Sequence, residues 1–170
     1  MRVIELLLPE FDREIATTRR SLERVPEGRL DWRPHAKSWS LRELSTHIAQ
    51  LPQWTVNSAH EDSLDLMPGG KFAPRAEPVR SVDELLERFD RHVEEGRAAL
   101  ASLTDDARFE DSWTLMMDGE PLFSIPRYTV LRSWVFNHIV HHRAQLGVYL
   151  RMLDVPVPAI YGPSADETGM

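Results

Sequence analysis

The stretch NHIVHHRAQL, residues 137–146, decides the predicted fold and carries most of the chemical information in the chain. His138 and His142 are four residues apart, so in a helix they lie one turn apart, separated by about 40° around the axis. Extended in both directions, the apolar pattern predicts a helix over 126–153 with both histidines in the middle of its apolar stripe and Arg143 on its polar side. Two imidazoles placed in this way can bind one metal ion.

A third histidine, His47, lies on the inner stripe of a second predicted helix. Ser40 and Glu43 have the spacing of a capping box that opens this helix, and Pro52 predicts a kink or break near 48–52. Three histidines that face one core predict a metal site with open coordination positions, because a closed structural zinc site needs four protein ligands. The alternative is that each histidine is a core residue hydrogen-bonded to a neighbour.

Two more helices are predicted, over about 3–25 and, after a second capping box at residues 81–84, to about 103. Residues 60–80 are polar and rich in proline and glycine, and they predict a long crossover between helices 2 and 3. In the segment 104–126, Asp118-Gly119 lies between two apolar runs, which indicates a short hairpin or an irregular loop before helix 4.

These elements predict an all-α fold, a four-helix bundle with a long crossover. The length of 170 residues suits one domain, so residues 1–170 are predicted to form a single domain. Within it, residues 155–170 are predicted to be an extended C-terminal tail, because proline recurs at the start of this segment.

The composition excludes several functions. The formal net charge of −7, with arginines interspersed among acids, argues against nucleic-acid binding. No run approaches the roughly 18 apolar residues that span a membrane, and the start of the chain does not have the pattern of a signal peptide. The chain has no cysteine, which excludes thiolate ligands and a cysteine nucleophile. A cytoplasmic protein is therefore expected.

The remaining histidines are weaker candidates for metal binding. His141 could replace His142 in a chelate, since a spacing of three residues also works, but it lies at the margin of the stripe. His35, His60 and His92 lie in a loop, near a helix end and in a charged helix, and are expected to be solvated.

Two polar side chains close to these histidines have two interpretations each. Glu43 precedes His47 by one turn and could support the site, although its capping-box role explains it better. Gln145 could orient a ligand, or it could be a polar residue at the bundle edge. The chain contains neither a phosphate-binding glycine loop nor a nucleophile elbow nor an H-E-x-x-H sequence.

Three stretches resemble the DinB-like (YfiT-like) family of metal-dependent proteins. Residues 39–47, WSLRELSTH, are similar to the segment that leads to the family's first histidine. Residues 138–146, HIVHHRAQL, resemble its H-x-x-H-H-R-G-Q-L run, with Ala144 where glycine is common. Residues 153–167, LDVPVPAIYGPSADE, resemble the ending of many members. The order and spacing of these stretches cover essentially the whole chain.

The resemblance implies a four-helix bundle with a long crossover, usually dimeric, and metal ligands at His47, His138 and His142. It also implies nickel or zinc as the metal. Characterised relatives include thiol-dependent transferases and isomerases that use low-molecular-weight thiols, such as mycothiol-dependent maleylpyruvate isomerase and bacillithiol transferase. Many other members have no known activity.

The residues and the resemblance together predict a metal-dependent enzyme, a transferase or a hydrolase, with a divalent ion bound by three histidines. Its most concrete form is an S-transferase or isomerase that uses a low-molecular-weight thiol as cofactor. A small-molecule substrate and a homodimer are expected, without a nucleic-acid or membrane partner. The alternatives are a non-catalytic metal- or ligand-binding stress-associated bundle and a metal-free helical dimer. The catalytic residues stay unassigned.

Overall fold

Four long helices surround the main hydrophobic core of the computed structural model, which describes residues 1–168. In chain order the helices are α1 (Val3–Leu22), α2 (Leu41–Gln50), α3 (Trp54–His60), α4 (Val82–Ser102), α5 (Ala107–Glu110), α6 (Arg127–Val130) and α7 (Asn137–Met152). Both α1 and α2 pack against α4 and α7, so each of these four helices contacts two of the others. Their apolar stripes meet in one core.

The starts of α2 and α4 show how the two predicted capping boxes form. At α2, the Ser40 hydroxyl accepts from the Glu43 N–H over 3.2 Å, and the Glu43 carboxylate accepts from the Ser40 N–H over 2.7 Å. At α4, Ser81 accepts from the N–H of Glu84, but the Glu84 carboxylate accepts from the N–H of Arg80 instead. The first box is therefore complete and the second is half formed.

The break predicted near Pro52 is confirmed. One turn of 3₁₀ helix at Leu51–Gln53 separates α2 from α3, because proline supplies no backbone donor there. Gly96 of α4 lies directly against this turn, and a Cβ atom at this position would overlap the carbonyl oxygen of Pro52. The close approach of α4 to the break therefore requires a glycine.

The prediction of an all-α fold is wrong, because the chain also forms a three-stranded mixed sheet. Its strands are β1 (Ser63–Asp65), β2 (Ser112–Met117) and β3 (Glu120–Pro126), in the order β1-β2-β3. β1 pairs with β2 in parallel, and β2 pairs with β3 in antiparallel fashion. The fold is therefore α+β, and the predicted crossover over 60–80 contributes a strand.

The turn between β2 and β3 is stabilised by its backbone conformation and by hydrogen bonds to β1. Asp118 and Gly119 have positive φ angles of 52° and 80°, as a two-residue hairpin turn requires. Asp65 of β1 stabilises this turn, because its carboxylate accepts from the N–H groups of Asp118 and Gly119 over 3.0 and 2.8 Å. Of the two alternatives for the segment 104–126, the hairpin is the one observed.

The sheet packs onto the start of the last long helical segment. Trp113 and Leu115 of β2 form a second apolar cluster with Val130, and Trp134 lies against it. Arg127, which is fully buried, donates to the carbonyl groups of Ser58 and Glu61, over 2.6 Å each, and thereby joins the end of α3 to the start of α6.

The helix predicted over 126–153 is continuous but not uniform. Residues 131–136 form a π-helical segment between α6 and α7, which places an extra residue in the turn that leads to His138. The buried side of α7 is centred on Ile139, Arg143, Leu146 and Leu150, about 100° around the axis from His138. The histidines therefore lie at the edge of the buried side rather than in its middle.

The segment after α7 has no regular secondary structure through residue 168, and it packs along α1. The Glu167 carboxylate accepts from Arg20 and Arg24 over 2.6 and 2.8 Å. The last two residues of the predicted tail, 169–170, lie outside the described residues. Within residues 1–168, every helix is too short or too polar to cross a membrane.

Candidate metal centre

The side chains of His47, His138 and His142 converge between α2 and α7. The Nε2 atom of His138 lies 3.3 Å from Nε2 of His47 and 2.9 Å from Nε2 of His142. One ring nitrogen from each of the three histidines lies within 4.8 Å of the others, so the group could hold a metal ion. His47 and His138 are half-buried, and His142 is buried.

These spacings suit a common ion. A zinc-like ion binds imidazole nitrogen at roughly 2.0–2.1 Å, which places two nitrogens of one coordination sphere about 2.9–3.4 Å apart. The distances from His138 to His47 and to His142 are 3.3 and 2.9 Å. The three imidazoles therefore need little movement to share a metal.

Hydrogen bonds at the outer nitrogens orient the rings. Nδ1 of His138 lies 3.3 Å from the carbonyl oxygen of Trp134, which can only accept, so Nδ1 carries the proton and Nε2 presents its lone pair. Nδ1 of His142 donates in the same way to Oε1 of Gln145 over 2.7 Å. Two lone pairs then face each other at 2.9 Å. With both rings in these tautomers, a cation between the two nitrogens would relieve this repulsion.

Burial keeps the three imidazoles neutral. Burial, and to a lesser extent repulsion from Arg75 and from His142 and His138 in their charged forms, lowers the pKa of His47 to about 3. Burial also lowers the pKa of His138 and of His142. Neutral imidazole is the form that binds a metal ion, so at neutral pH no proton has to be displaced.

Indole rings enclose the histidines on two sides. Trp39 stacks on His142 with ring centroids 5.5 Å apart and an interplanar angle of 21°, and its edge meets His47 at 5.0 Å. Trp54 meets His138 edge-on at 5.4 Å. These contacts restrict rotation of the imidazoles and cover part of their faces.

An open groove of about 480 Å³ borders the histidine group. Its lining consists of Lys37, Ser38, Trp39, Leu44, His142, Gln145, Val148 and Tyr149. Because His142 lies in this lining, a small molecule in the groove would be next to the candidate metal position.

The other predicted histidines have different environments. His35, His60 and His141 are exposed, and His141 lies beside Gln145 with 3.1 Å between Nε2 atoms. The prediction that His92 is solvated is wrong, because it is buried and its Nδ1 donates to the carbonyl of Ala49 over 2.8 Å. A histidine inside a charged helix gives no sign of this contact in the sequence.

The residue that follows His142 is one that sequence reasoning misses. The helical pattern predicts Arg143 on the polar side, but it is 4% exposed and donates to the Glu14 carboxylate over 2.8 Å. The Tyr161 hydroxyl lies 2.7 Å from both groups. This network, which is buried at Arg143 and Glu14, joins α7 to α1 and to the C-terminal segment. The sequence does contain one sign of this network, because Glu14 lies on the apolar stripe of α1 and needs a buried partner.

The fold and the site together define a helical protein with a small mixed sheet and three convergent imidazoles beside an open groove. The family model of the DinB superfamily matches residues 10–146, and the chain belongs to this superfamily. No curated protein matches the chain.

Solved structures share the fold. A DinB-like protein from Bacillus cereus ATCC 10987 is 21% identical with a TM-score of 0.67, and the alignment covers 91% of this chain and 95% of that one. The DinB-like protein YjoA from Bacillus subtilis is 18% identical with a TM-score of 0.69, covering 97% and 99%. A variant of mycothiol-dependent maleylpyruvate isomerase is 13% identical with a TM-score of 0.53, covering 91% of this chain and 62% of that one.

Proposed function

We propose that the chain is a metal-dependent enzyme whose divalent ion, nickel or zinc, is bound by His47, His138 and His142. The observation that carries this proposal is the convergence of three ring nitrogens within 4.8 Å. Among the described residues no further histidine or carboxylate joins this group. Three protein ligands are typical of catalytic sites, because they leave coordination positions free, whereas structural zinc sites have four.

The residues around the ion have distinct tasks in this proposal. A bound divalent ion would supply Lewis-acid chemistry, lowering the pKa of a thiol or water beside it. Gln145 and the backbone carbonyl of Trp134 hold the rings of His142 and His138 in their orientations. Trp39 covers one face of the group, and the groove beside His142 admits the reactants.

The most concrete reaction is transfer of a thiol to an electrophile. The sulfur of a small thiol forms a bond to an electrophilic carbon, the bond from that carbon to its leaving group breaks, and the thiol proton leaves with the departing group or passes to solvent. Because the chain has no cysteine, the sulfur has to come from a small molecule. Support comes from the fold shared with mycothiol-dependent maleylpyruvate isomerase, whose name states its thiol dependence. An isomerase or a hydrolase would use the same three ligands.

Metal analysis tests the first part of the proposal. Protein purified without a chelator or a nickel column is expected to contain about one equivalent of nickel or zinc. The variants His47→Ala, His138→Ala and His142→Ala should lose most of it. The matched control is His60→Ala, because His60 is exposed and lies outside the histidine group. Equal metal content in His142→Ala and His60→Ala would refute the site.

Turnover tests the second part. The metal-loaded protein is incubated with an alkylating electrophile and, separately, with mycothiol, bacillithiol, glutathione and coenzyme A. Thioether formation is expected to depend on one of these thiols and to be lost in His142→Ala. A rate in His142→Ala equal to that of the unsubstituted protein would contradict the enzyme. Stoichiometric metal without turnover of any thiol would instead favour the non-catalytic binding protein.

A further inference from the structure

The groove beside His142 has an unusual balance of charge for this protein. The chain carries a formal net charge of −7, which disfavours the approach of anions in general. The groove lining nevertheless contains one cation, Lys37, and no carboxylate. Within residues 1–168, no carboxylate lies in ion-pair distance of Lys37, whereas neighbouring Arg33 and Arg42 pair with Glu43 and Asp31.

Half of the groove lining is apolar or aromatic. Trp39, Leu44, Val148 and Tyr149 supply its apolar lining, and the indole of Trp39 lies nearly parallel to the imidazole of His142. The Tyr149 hydroxyl donates to the carbonyl of Trp39 over 3.1 Å, so this polar atom is occupied. Such a surface suits a planar, unsaturated or aromatic group.

We propose that this groove binds the substrate as a carboxylate with a planar apolar portion, the carboxylate facing Lys37 and the planar portion lying against Trp39 and Tyr149. The inference rests on the proposed function, because it names the substrate class of that site. It goes beyond that function by assigning Lys37 as the residue that selects for charge.

The test uses 2-naphthoate and its neutral isostere 2-naphthamide as probes of the metal-free protein, residues 1–170. Binding is followed by chemical shifts in ¹⁵N-labelled protein. Shifts are expected at the backbone amides of Lys37 and Ser38 and at the side-chain amide of Gln145. Naphthoate should bind roughly fivefold more tightly than naphthamide, the range expected for one exposed charge pair.

Substitutions assign the preference to a residue. Lys37→Gln should remove the preference for the carboxylate, and Lys37→Arg should retain it. The matched control is Lys71→Gln, because Lys71 is exposed, carries the same charge and lies outside the groove lining. Equal affinities for both probes, or the same loss in Lys37→Gln and Lys71→Gln, or shifts confined to other residues, would overturn the inference.

The outcome of these titrations can be judged separately from the outcome of the metal and turnover experiments. Because these titrations contain no metal, a failure of metal loading or turnover would leave an observed carboxylate preference unaffected. Conversely, a protein that binds its metal through the three histidines but shows no preference between the probes would refute the groove assignment alone.

Discussion

Nδ1 of His142 lies 2.7 Å from Oε1 of Gln145, so a side chain three residues along α7 fixes the ring that faces the candidate metal position. The same amide reaches His141 through its nitrogen, over 3.1 Å. These two contacts determine which way the amide of Gln145 points. Gln145 is therefore the positioning residue of the site.

Replacement of Gln145 by alanine should weaken metal binding by roughly tenfold to a hundredfold, the usual effect of removing the partner of a histidine ligand. Gln145→Glu retains an acceptor and should lose less. Competition with a chelator of known zinc affinity measures both. Asn137→Ala is the control, since Asn137 is exposed on the same helix. An affinity of Gln145→Ala equal to that of Asn137→Ala would remove Gln145 from the site.

Arg143→Met should lower the free energy of unfolding by about 3–5 kcal/mol, because it leaves the buried Glu14 carboxylate without the charged partner that is buried with it. Arg13→Met is a matched control. Arg13 lies 3.8 Å from the same carboxylate, but its own side chain is 67% exposed, so the expected loss is less than about 1 kcal/mol. Urea unfolding of both variants measures the difference, and similar losses would contradict the assigned role of the buried pair.

Gly96→Ala should destabilise the protein by about 1–3 kcal/mol, because the new methyl group overlaps the carbonyl of Pro52. Gly147→Ala serves as the comparison, since it makes the same change in another helix. There the nearest atom to the added Cβ is Cγ1 of Val157 at 3.8 Å, and the helix should gain up to about 1 kcal/mol. Thermal unfolding of the two variants should therefore shift in opposite directions.

Acid should weaken the start of α2. The N–H and hydroxyl of Ser40 lower the pKa of Glu43 below its ordinary value of 4.5. Because the folded-state pKa is depressed, the stabilisation is present above about pH 4.5 and is lost as the pH falls through the lower folded-state value. The melting temperature of the unsubstituted protein should therefore fall more steeply on acidification through this range than that of Glu43→Gln. Parallel curves would show that this carboxylate contributes nothing to the acid response.

Where apolar residues recur with helical spacing, the sequence predicts the fold. The four long helices, the break at Pro52 and the complete capping box at Ser40 follow from local patterns, whereas the short helices α3 and α5 are not predicted. The strand β1 cannot be predicted in this way, because it has three residues and depends on pairing with β2, about 50 residues later. Its main specific contact, from Asp65 to the hairpin turn, is visible only in three dimensions.

The candidate site also has a part that the sequence predicts and a part that it does not. Spacing on two helices selects His47, His138 and His142, and the structure brings their ring nitrogens together. The partners of the histidines can be predicted only in part, since the sequence leaves two interpretations for Gln145 and the contact from residue 134 uses a backbone carbonyl. The burial of Arg143 is not predicted, because helical angles alone do not show which side of α7 faces α1.

The extra residue in the π-helical segment 131–136 makes the direction of the α7 imidazoles depend on chain length. Deletion of one residue there would restore ordinary α-helical hydrogen bonding and turn everything downstream by about 100° relative to α6. His138 and His142 would then point away from His47, although every ligand would still be present. The presence of the three histidines in a sequence therefore does not ensure that their side chains converge. A relative that is one residue shorter in this segment would keep all three histidines, but their ring nitrogens would no longer lie together.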